Sequence, residues 1–331
     1  MKIDIYPHIM PTKYLEALNR ISGGKYRNKQ IIEAIPTTYD LDIRFRVLDK
    51  YGDMKQVLTL GAPPIEAIAE PKQALELARM ANDEMAELVT KYPDRFVSAV
   101  ASLPMNDIDA ALKEVDRAIS DLRFRGIQVY TSINGKPIDH PEFLPLYEKM
   151  ATYNLPIWIH PVREITTPDY PGESTSKYQI WGIFGWPYET TAAMTRLIFS
   201  GLLERLPNLK LITHHCGGMI PFFEQRLSIA YDMNEMLLKS RAKQRLNKPV
   251  IEYYRMFYAD TAVHSKSAIT CGYEFFGSEH LLFGTDMPYD NELGFRFVRQ
   301  AVEAIEQMDI PDAARKKIFE DNARQVLRLP I

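Results

Sequence analysis

The chain has 331 residues, 46% of them hydrophobic and 25% charged, with a formal net charge of −3. This is ordinary globular composition with room for a sizeable core, and the near-neutral balance argues against nucleic acid or an anionic membrane surface as partner. Two cysteines, Cys216 and Cys271, are too few for a disulfide framework, no basic leader precedes an apolar stretch, and no apolar run approaches the ~18 residues of a membrane span; a cytoplasmic enzyme is expected.

Short apolar runs rich in β-branched and aromatic residues recur along the chain. The first is KIDIYPHI (Lys2 to Ile9), in which Ile3 and Ile5 alternate with Asp4 and Tyr6 before Pro7 and His8 break the pattern. MKQVLTLG from Met54, FVSAVASLP from Phe96, FRGIQVYTSI from Phe124 and LPIWIHP from Leu155 follow. LKLITHHCGG from Leu209, MFYADTA from Met256 and HLLFGTDMP from His280 complete a set of eight. Bounded by Gly, Pro or Asn, they read as buried parallel strands. Helical stretches separate them. The segment from Pro71 spaces Leu75, Ala78, Met85 and Leu88 helically and ends before Pro93, and DIDAALKEVDRAI, HPEFLPLYEKMATYN and ETTAAMTRLIFSGLLERLP behave alike.

Eight strands alternating with helices predict an α/β fold of the (β/α)8 TIM-barrel type, with residues 1–331 as a single domain. An open doubly wound sheet would more often carry a Gly-rich phosphate turn, and neither G-x-G-x-x-G nor a Walker A pattern occurs. Two stretches, roughly 23–47 and 163–187, exceed one strand plus one helix and are expected as inserted loops on the catalytic face, serving as lid, pocket wall or dimer contact.

His8 closes the first strand, His160 the fifth, His214 and His215 the sixth and Asp286 the eighth. The C-terminal strand ends of a barrel converge on one face, so these residues should meet in space. Any one of these histidines is more often structural, but four of only seven in the chain fall at strand ends. Imidazoles with a carboxylate suit Zn²⁺ or a similar divalent ion with an open position.

DIYPHI, RFRGIQVYTSINGKPIDHPEFLPLYE, LPIWIHP, GWPYETTAAMTRLIFSGLLERLPNLKLITHHCGGMIPFFEQR, YYRMFYADTA and LLFGTDMPY follow one another in order along the chain. With them the sequence resembles the amidohydrolase superfamily, in the branch containing aminocarboxymuconate-semialdehyde decarboxylase and γ-resorcylate decarboxylase. The most specific stretches are the H-x-x-G-x-x-P-F run from His215 to Phe222 and the G-T-D-x-P run from Gly284 to Pro288. The resemblance implies a barrel with one divalent ion, usually zinc with manganese as alternative, and a homodimer. It implies His8, His160 and Asp286 as metal ligands, and His215 and Asp286 as catalytic residues. His214 has no clear counterpart and is expected as a hydrogen-bond donor behind the ligands or against the barrel wall. Tyr6 is the departure: the family places a metal-binding histidine or, in some decarboxylases, a glutamate there. A neutral phenol, with an ordinary pKa of ~10, ligates poorly, so Tyr6 is expected as a neighbouring hydrogen-bond donor, with substrate, water or His215 making up the coordination.

The resemblance favours a metal-dependent, non-oxidative decarboxylase of an aromatic or unsaturated carboxylic acid, a small-molecule carboxylate. The same residues would serve a metal-dependent hydrolase of a lactone or amide, and a metal-free barrel with a binding role is the third reading. Asp260, closing strand seven, either orients a histidine or anchors the strand end; Arg163 is a candidate partner for the substrate carboxylate, or a surface arginine; Trp186 is a candidate pocket wall. His264 is a weaker candidate for a substrate contact. Cys216 is expected to be buried and inert, and Arg125 and Gly126 to shape the opposite face.

Overall fold

The computed structural model describes residues 1–26, 28–238 and 246–330. Its strands are β1 (Lys2–Asp4), β2 (His8–Ile9), β3 (Met54–Leu60), β4 (Phe96–Ala99), β5 (Ile127–Tyr130), β6 (Ser132–Ile133), β7 (Lys136–Pro137), β8 (Ile157–His160), β9 (Leu211–Thr213), β10 (Tyr258–Asp260) and β11 (Leu281–Leu282). β6 and β7 form a small antiparallel hairpin. The remainder are the eight staves of a barrel, since β1 and β2 are two pieces of one stave, both paired in parallel to β3.

Two hydrogen-bonded arcs make the wall. One carries β1 and β2 on β3, with β4 on its other side; the second runs β5-β8-β9-β10-β11. A parallel bridge from Ala101 to Ile127 joins them at one seam. At the other, Ile5 N–H donates to Phe283 O at 2.9 Å, Asp286 N–H to Tyr6 O at 3.0 Å and His8 N–H to Met287 O at 2.7 Å. Every neighbouring pair in the wall is parallel, which requires a crossover after each strand and explains the intervening helices.

The helices form where the sequence predicts, with two differences. Pro71–Lys91 starts with Pro at its first turn and buries Ala74, Leu77, Ala78, Ala81 and Met85 against the wall. Ile108–Ser120 is capped by the Asp107 carboxylate, which accepts from Ala110 N–H at 3.0 Å. The predicted helix through ETTAAMTRLIFSGLLERLP instead starts at Gly185 and breaks into Gly185–Phe199 and Leu202–Arg205, because Gly201 turns left-handed at φ 75°. Residues 23–47 are not a bare loop. They carry the helices Lys29–Ala34 and Leu41–Asp49, the latter capped by Asp40. Helices occupy this stretch because Ile32, Val47 and Leu48 reach the core.

The lower end of the barrel is packed solid. Ile3, Ile5, Val57, Val100, Trp158, Ile212 and Leu282 meet there, and the C-terminal helix Asn322–Leu327 closes the end with Ala323, Val326 and Leu327. Trp158 is fully buried and donates from Nε1 to Ile5 O at 3.0 Å. A Cβ on Gly126 would stand 2.4 Å from Pro156 O and 2.5 Å from the Trp158 ring, so only glycine lets β5 approach β8 this closely. Arg125 borders a surface cavity beside Pro330, near the chain's C-terminal end. Among the described residues, no helix is long and apolar enough to cross a membrane.

Candidate functional site

The upper strand ends gather what the sequence had scattered. His8, His160 and His214 each offer one ring nitrogen within 4.8 Å of the others, and His214, His215 and Asp286 form a second, overlapping group. All three nitrogens of the first group are aimed by what the other side of the ring touches. His160 Nδ1 lies 2.7 Å from Pro161 O, which fixes it as a donor. Thr59 Oγ1 donates its only hydrogen to Pro7 O at 2.9 Å, so at 3.1 Å it accepts from His8 Nδ1–H. His214 Nδ1 is bonded to Asp260 Oδ2. Each Nε2 is thereby left facing the centre, the arrangement in which outer partners set the tautomer of ligating imidazoles.

Asp286 supplies the anion. Its Oδ1 stands 3.2 Å from His8 Nε2 and 3.4 Å from His214 Nε2, and its Oδ2 3.9 Å from His215 Nε2. The His8 contact lacks hydrogen-bond geometry: Nε2 is buried and without a hydrogen-bond partner. A buried, unpaired imidazole nitrogen beside a carboxylate and two more imidazoles fits a divalent cation well. His215 and Asp286 both sit at positive φ, 53° and 55°, a conformation uncommon for non-glycine residues.

The electrostatics follow from burial and these neighbours. Burial lowers His160 well below the ordinary imidazole range, with His214 and His8 adding repulsion. Burial, then His214, lowers His215 to about 3; both rings are neutral. For His214, burial opposes charge but Asp260 and then Asp286 outweigh it, holding the ring up at about 9. For Asp286, burial again opposes charge, and His214 followed by His8 reverses the balance, so the carboxyl stays well below the usual range. Burial, reinforced by Asp260, Tyr130 and Asp286, raises Tyr6 well above an ordinary phenol.

The position of Tyr6 differs from expectation. Its ring stacks on His214 at 4.0 Å between centroids and 13° between planes, and its buried hydroxyl has no hydrogen-bond partner. It is a platform under His214, and His214, not His215, fills the space beside His8. The sequence could not have shown this, because the rotation of His214 is set by Asp260, 46 residues away. Asp260 also accepts from Cys216 N–H at 3.1 Å and Ala262 N–H at 3.0 Å, so it orients a histidine and anchors the strand end together. Cys216 is buried, and burial pushes its thiol up, which keeps it inert. His264 turns away and pairs with Thr285 O at 2.7 Å.

A cavity of about 510 Å³ opens beside the cluster, walled by Tyr130, His160, Trp186, Arg163, Glu189 and Glu66 among others. Arg163 Nη1 pairs with Glu189 at 2.8 Å, so its fork is engaged within the wall. Trp186 lies 6.1 Å from His160 and 6.3 Å from His215 between ring centroids, with its indole N–H buried and unpaired. Sequence reasoning passed over three residues here. Tyr130 packs 5.1 Å from His160, and Tyr289, directly after GTDMP, packs 5.5 Å from His8. Glu66 is the third, and its signal was available: it is the one charge in GAPPIEAIA, straight after the second strand.

Comparison with known proteins agrees along the chain. The amidohydrolase family model matches residues 34–329. The chain is 32% identical to a γ-resorcylate decarboxylase of Polaromonas sp., over 87% of each chain. It is 28% identical to a 2-amino-3-carboxymuconate-6-semialdehyde decarboxylase of Dictyostelium discoideum, over 99% of this chain and 92% of that one. Among solved structures it is similar to a 2,6-dihydroxybenzoate decarboxylase complexed with 2,6-dihydroxybenzoate, at a TM-score of 0.82, 26% identity and 99% and 98% coverage. It is also similar to a Polaromonas dihydroxybenzoic acid decarboxylase with bound manganese and 2-nitroresorcinol, at a TM-score of 0.79, 28% identity and 99% and 96% coverage.

Proposed function

The chain belongs to the amidohydrolase family, and on that premise we propose that it is a metal-dependent, non-oxidative decarboxylase of an aromatic or unsaturated carboxylic acid. The observation that carries the reading is the buried group of imidazoles, each with its outer nitrogen already engaged, meeting Asp286 at the edge of an aromatic-walled cavity.

His8, His160 and Asp286 would hold the ion, and His214, once the ion displaces the proton that Asp260 and Asp286 otherwise favour on its ring, would join them as the ligand that Tyr6 cannot be. Nitrogen-rich coordination with one carboxylate suits Zn²⁺ first, and the manganese in the Polaromonas structure makes Mn²⁺ the second candidate. When bound, the ion would supply a fixed positive charge to hold the substrate's carboxylate.

The residues of the chain account for the proton. Asp286, ionised at rest, takes the proton of a ring hydroxyl and delivers it to the carbon that bears the carboxylate. As that carbon–carbon bond breaks, its electron pair returns to the ring and carbon dioxide leaves. The phenolate then recovers a proton from water. His215, a neutral imidazole beside Asp286, positions the carboxylate, and Trp186 and Tyr130 offer faces on which a flat ring can lie. Arg163, paired with Glu189, shapes the wall.

We take the working form to be a cytoplasmic homodimer. Two free cysteines suit a reducing compartment. Phe222, Ile229, Met233 and Leu237 on and beside the helix Glu224–Leu238, and Tyr170 and Tyr178 in the 163–187 insertion, are exposed apolar side chains that a second copy could cover. Light scattering of wild type and Leu237→Glu checks this.

The deciding experiment pairs elemental analysis with carbon dioxide release from hydroxybenzoic acids. About one zinc or manganese per chain, with gas release, supports the proposal. Turnover of lactones or amides without gas would move it to hydrolysis. A metal-free protein that ignores added metal would sink both.

A further inference from the structure

Glu66 is a buried acid with one carboxylate oxygen left without a partner. It lies in the 3-10 turn Ile65–Ala67 that follows β3, with its backbone carbonyl pinned by Asn134 Nδ2 at 3.0 Å. The residue is 6% exposed, and its Oε1 has no hydrogen-bond partner. Among the described residues no lysine, arginine or histidine pairs with it, and the ionisable groups that lie near it include the phenols Tyr14 and Tyr130. Burying an unpaired carboxyl costs far more than burying leucine there, so its presence calls for a reason beyond packing. Its side chain lines the same cavity as His160, Trp186 and Tyr130. It also borders a small void of about 10 Å³ with Gln128, whose Oε1 is likewise buried and unpaired.

We propose that Glu66 is a specificity residue that accepts a hydrogen bond from a second hydroxyl or amino substituent on the substrate ring, on an edge turned away from the reacting carboxylate. This rests on the decarboxylase reading for the substrate's orientation. A carboxylate held at the histidine cluster, with the ring on Trp186 and Tyr130, presents its far edge to the remaining wall of the cavity. Glu66 is an acceptor in that wall. A ring with an apolar or anionic group there would leave the acid unpaired or repelled, so the site selects against it.

The test measures binding of ring products to the metal-replete protein, read by tryptophan fluorescence and calorimetry. Phenol is compared with catechol, resorcinol and hydroquinone, in wild type, Glu66→Leu and Glu66→Gln. Assayed above pH 7, where the acid is ionised, wild type should prefer at least one dihydroxy ring over phenol by about 10-fold or more, the worth of one hydrogen bond to a charged acceptor. Glu66→Leu should reduce that ratio to within about 2-fold, and Glu66→Gln, which keeps a carbonyl acceptor, should retain part of it. Above pH 7, where this acid is ionised, the melting temperature of Glu66→Leu should equal or exceed that of wild type, since a buried carboxylate with an unbonded oxygen costs stability. No preference in wild type, or the same ratio in Glu66→Leu, overturns the proposal and leaves Glu66 as the holder of an internal water with Gln128. Gas release is scored separately. If wild type decarboxylates none of the matching acids, the functional reading falls while the binding ratio still decides Glu66.

Discussion

The two ends of the barrel are made from the same strands and obey different rules. Along the first stave, Ile3 and Ile5 point into a core shared with Trp158, Ile212 and Leu282, and the single polar atom that Trp158 brings is bonded to Ile5 O. A few residues higher the stave carries Tyr6 and His8, and here buried polar atoms go without partners: Tyr6 Oη, His8 Nε2, His215 Nδ1, Trp186 Nε1 and Glu66 Oε1. Native proteins leave few such atoms, and these five lie around the upper strand ends and the cavity beside them. The lower end spends its residues on stability; the upper end gives up stability to hold groups ready for something that is not protein.

That contrast can be broken most sharply at Asp286. Asp286→Asn should lower kcat/KM by about 10³-fold or more, because both the cation's anionic partner and the proton carrier are lost; a loss under about 10-fold in steady-state assays would remove Asp286 from the chemistry. Next comes the opposite end. Trp158→Ala should cost about 3–5 kcal/mol in denaturant titration, with metal content per folded chain unchanged. Metal lost in proportion would mean that the two ends are not separable.

Glu66 sharpens the contrast through pH. Burial raises its carboxyl to about 7 from an ordinary 4.5. The folded protein therefore holds this proton more tightly than the unfolded chain, and stability from this group is full below about pH 4.5 and lost as pH rises through 7. Glu66→Gln should match wild type near pH 4.5 and gain of the order of 3 kcal/mol over it above pH 7, seen as a widening gap in chemical unfolding. A gap that does not vary with pH would place the cost elsewhere. The smallest effect is at Asp260. Asp260→Asn should weaken metal binding about 10- to 100-fold through His214, measured by competition with a chelator; unchanged affinity would return Asp260 to a purely structural part.

Much of this was legible in the sequence, for physical reasons. Apolar runs bounded by Gly and Pro gave eight staves, because a strand buried on both faces has to be continuously apolar. Once the staves were placed, strand ends located His8, His160, His215 and Asp286 without any knowledge of distance. What stayed hidden depended on rotation and on partners remote in sequence. His214 faces inward because Asp260 bonds it, and Tyr6 stacks beneath it; neither fact has a local signature. The arginine after the fifth strand looked available until Glu189 was found against it. The Gly201 break interrupts a helical pattern that is otherwise continuous in the sequence, and the helices within 23–47 form because Ile32, Val47 and Leu48 reach a core that no local pattern shows.

The packed lower end has a consequence for traffic. With Trp158 and the C-terminal helix filling that end, the cavity beside Trp186 is the opening to the cluster among the described residues. On the decarboxylase reading, incoming acid and departing products would share that cavity. The phenol vacates the place that the next acid must take, so it should inhibit competitively. Double-reciprocal plots at rising phenol concentration should then meet on the rate axis, and the enzyme's pace in a crowded solution would be set by clearance of its own product.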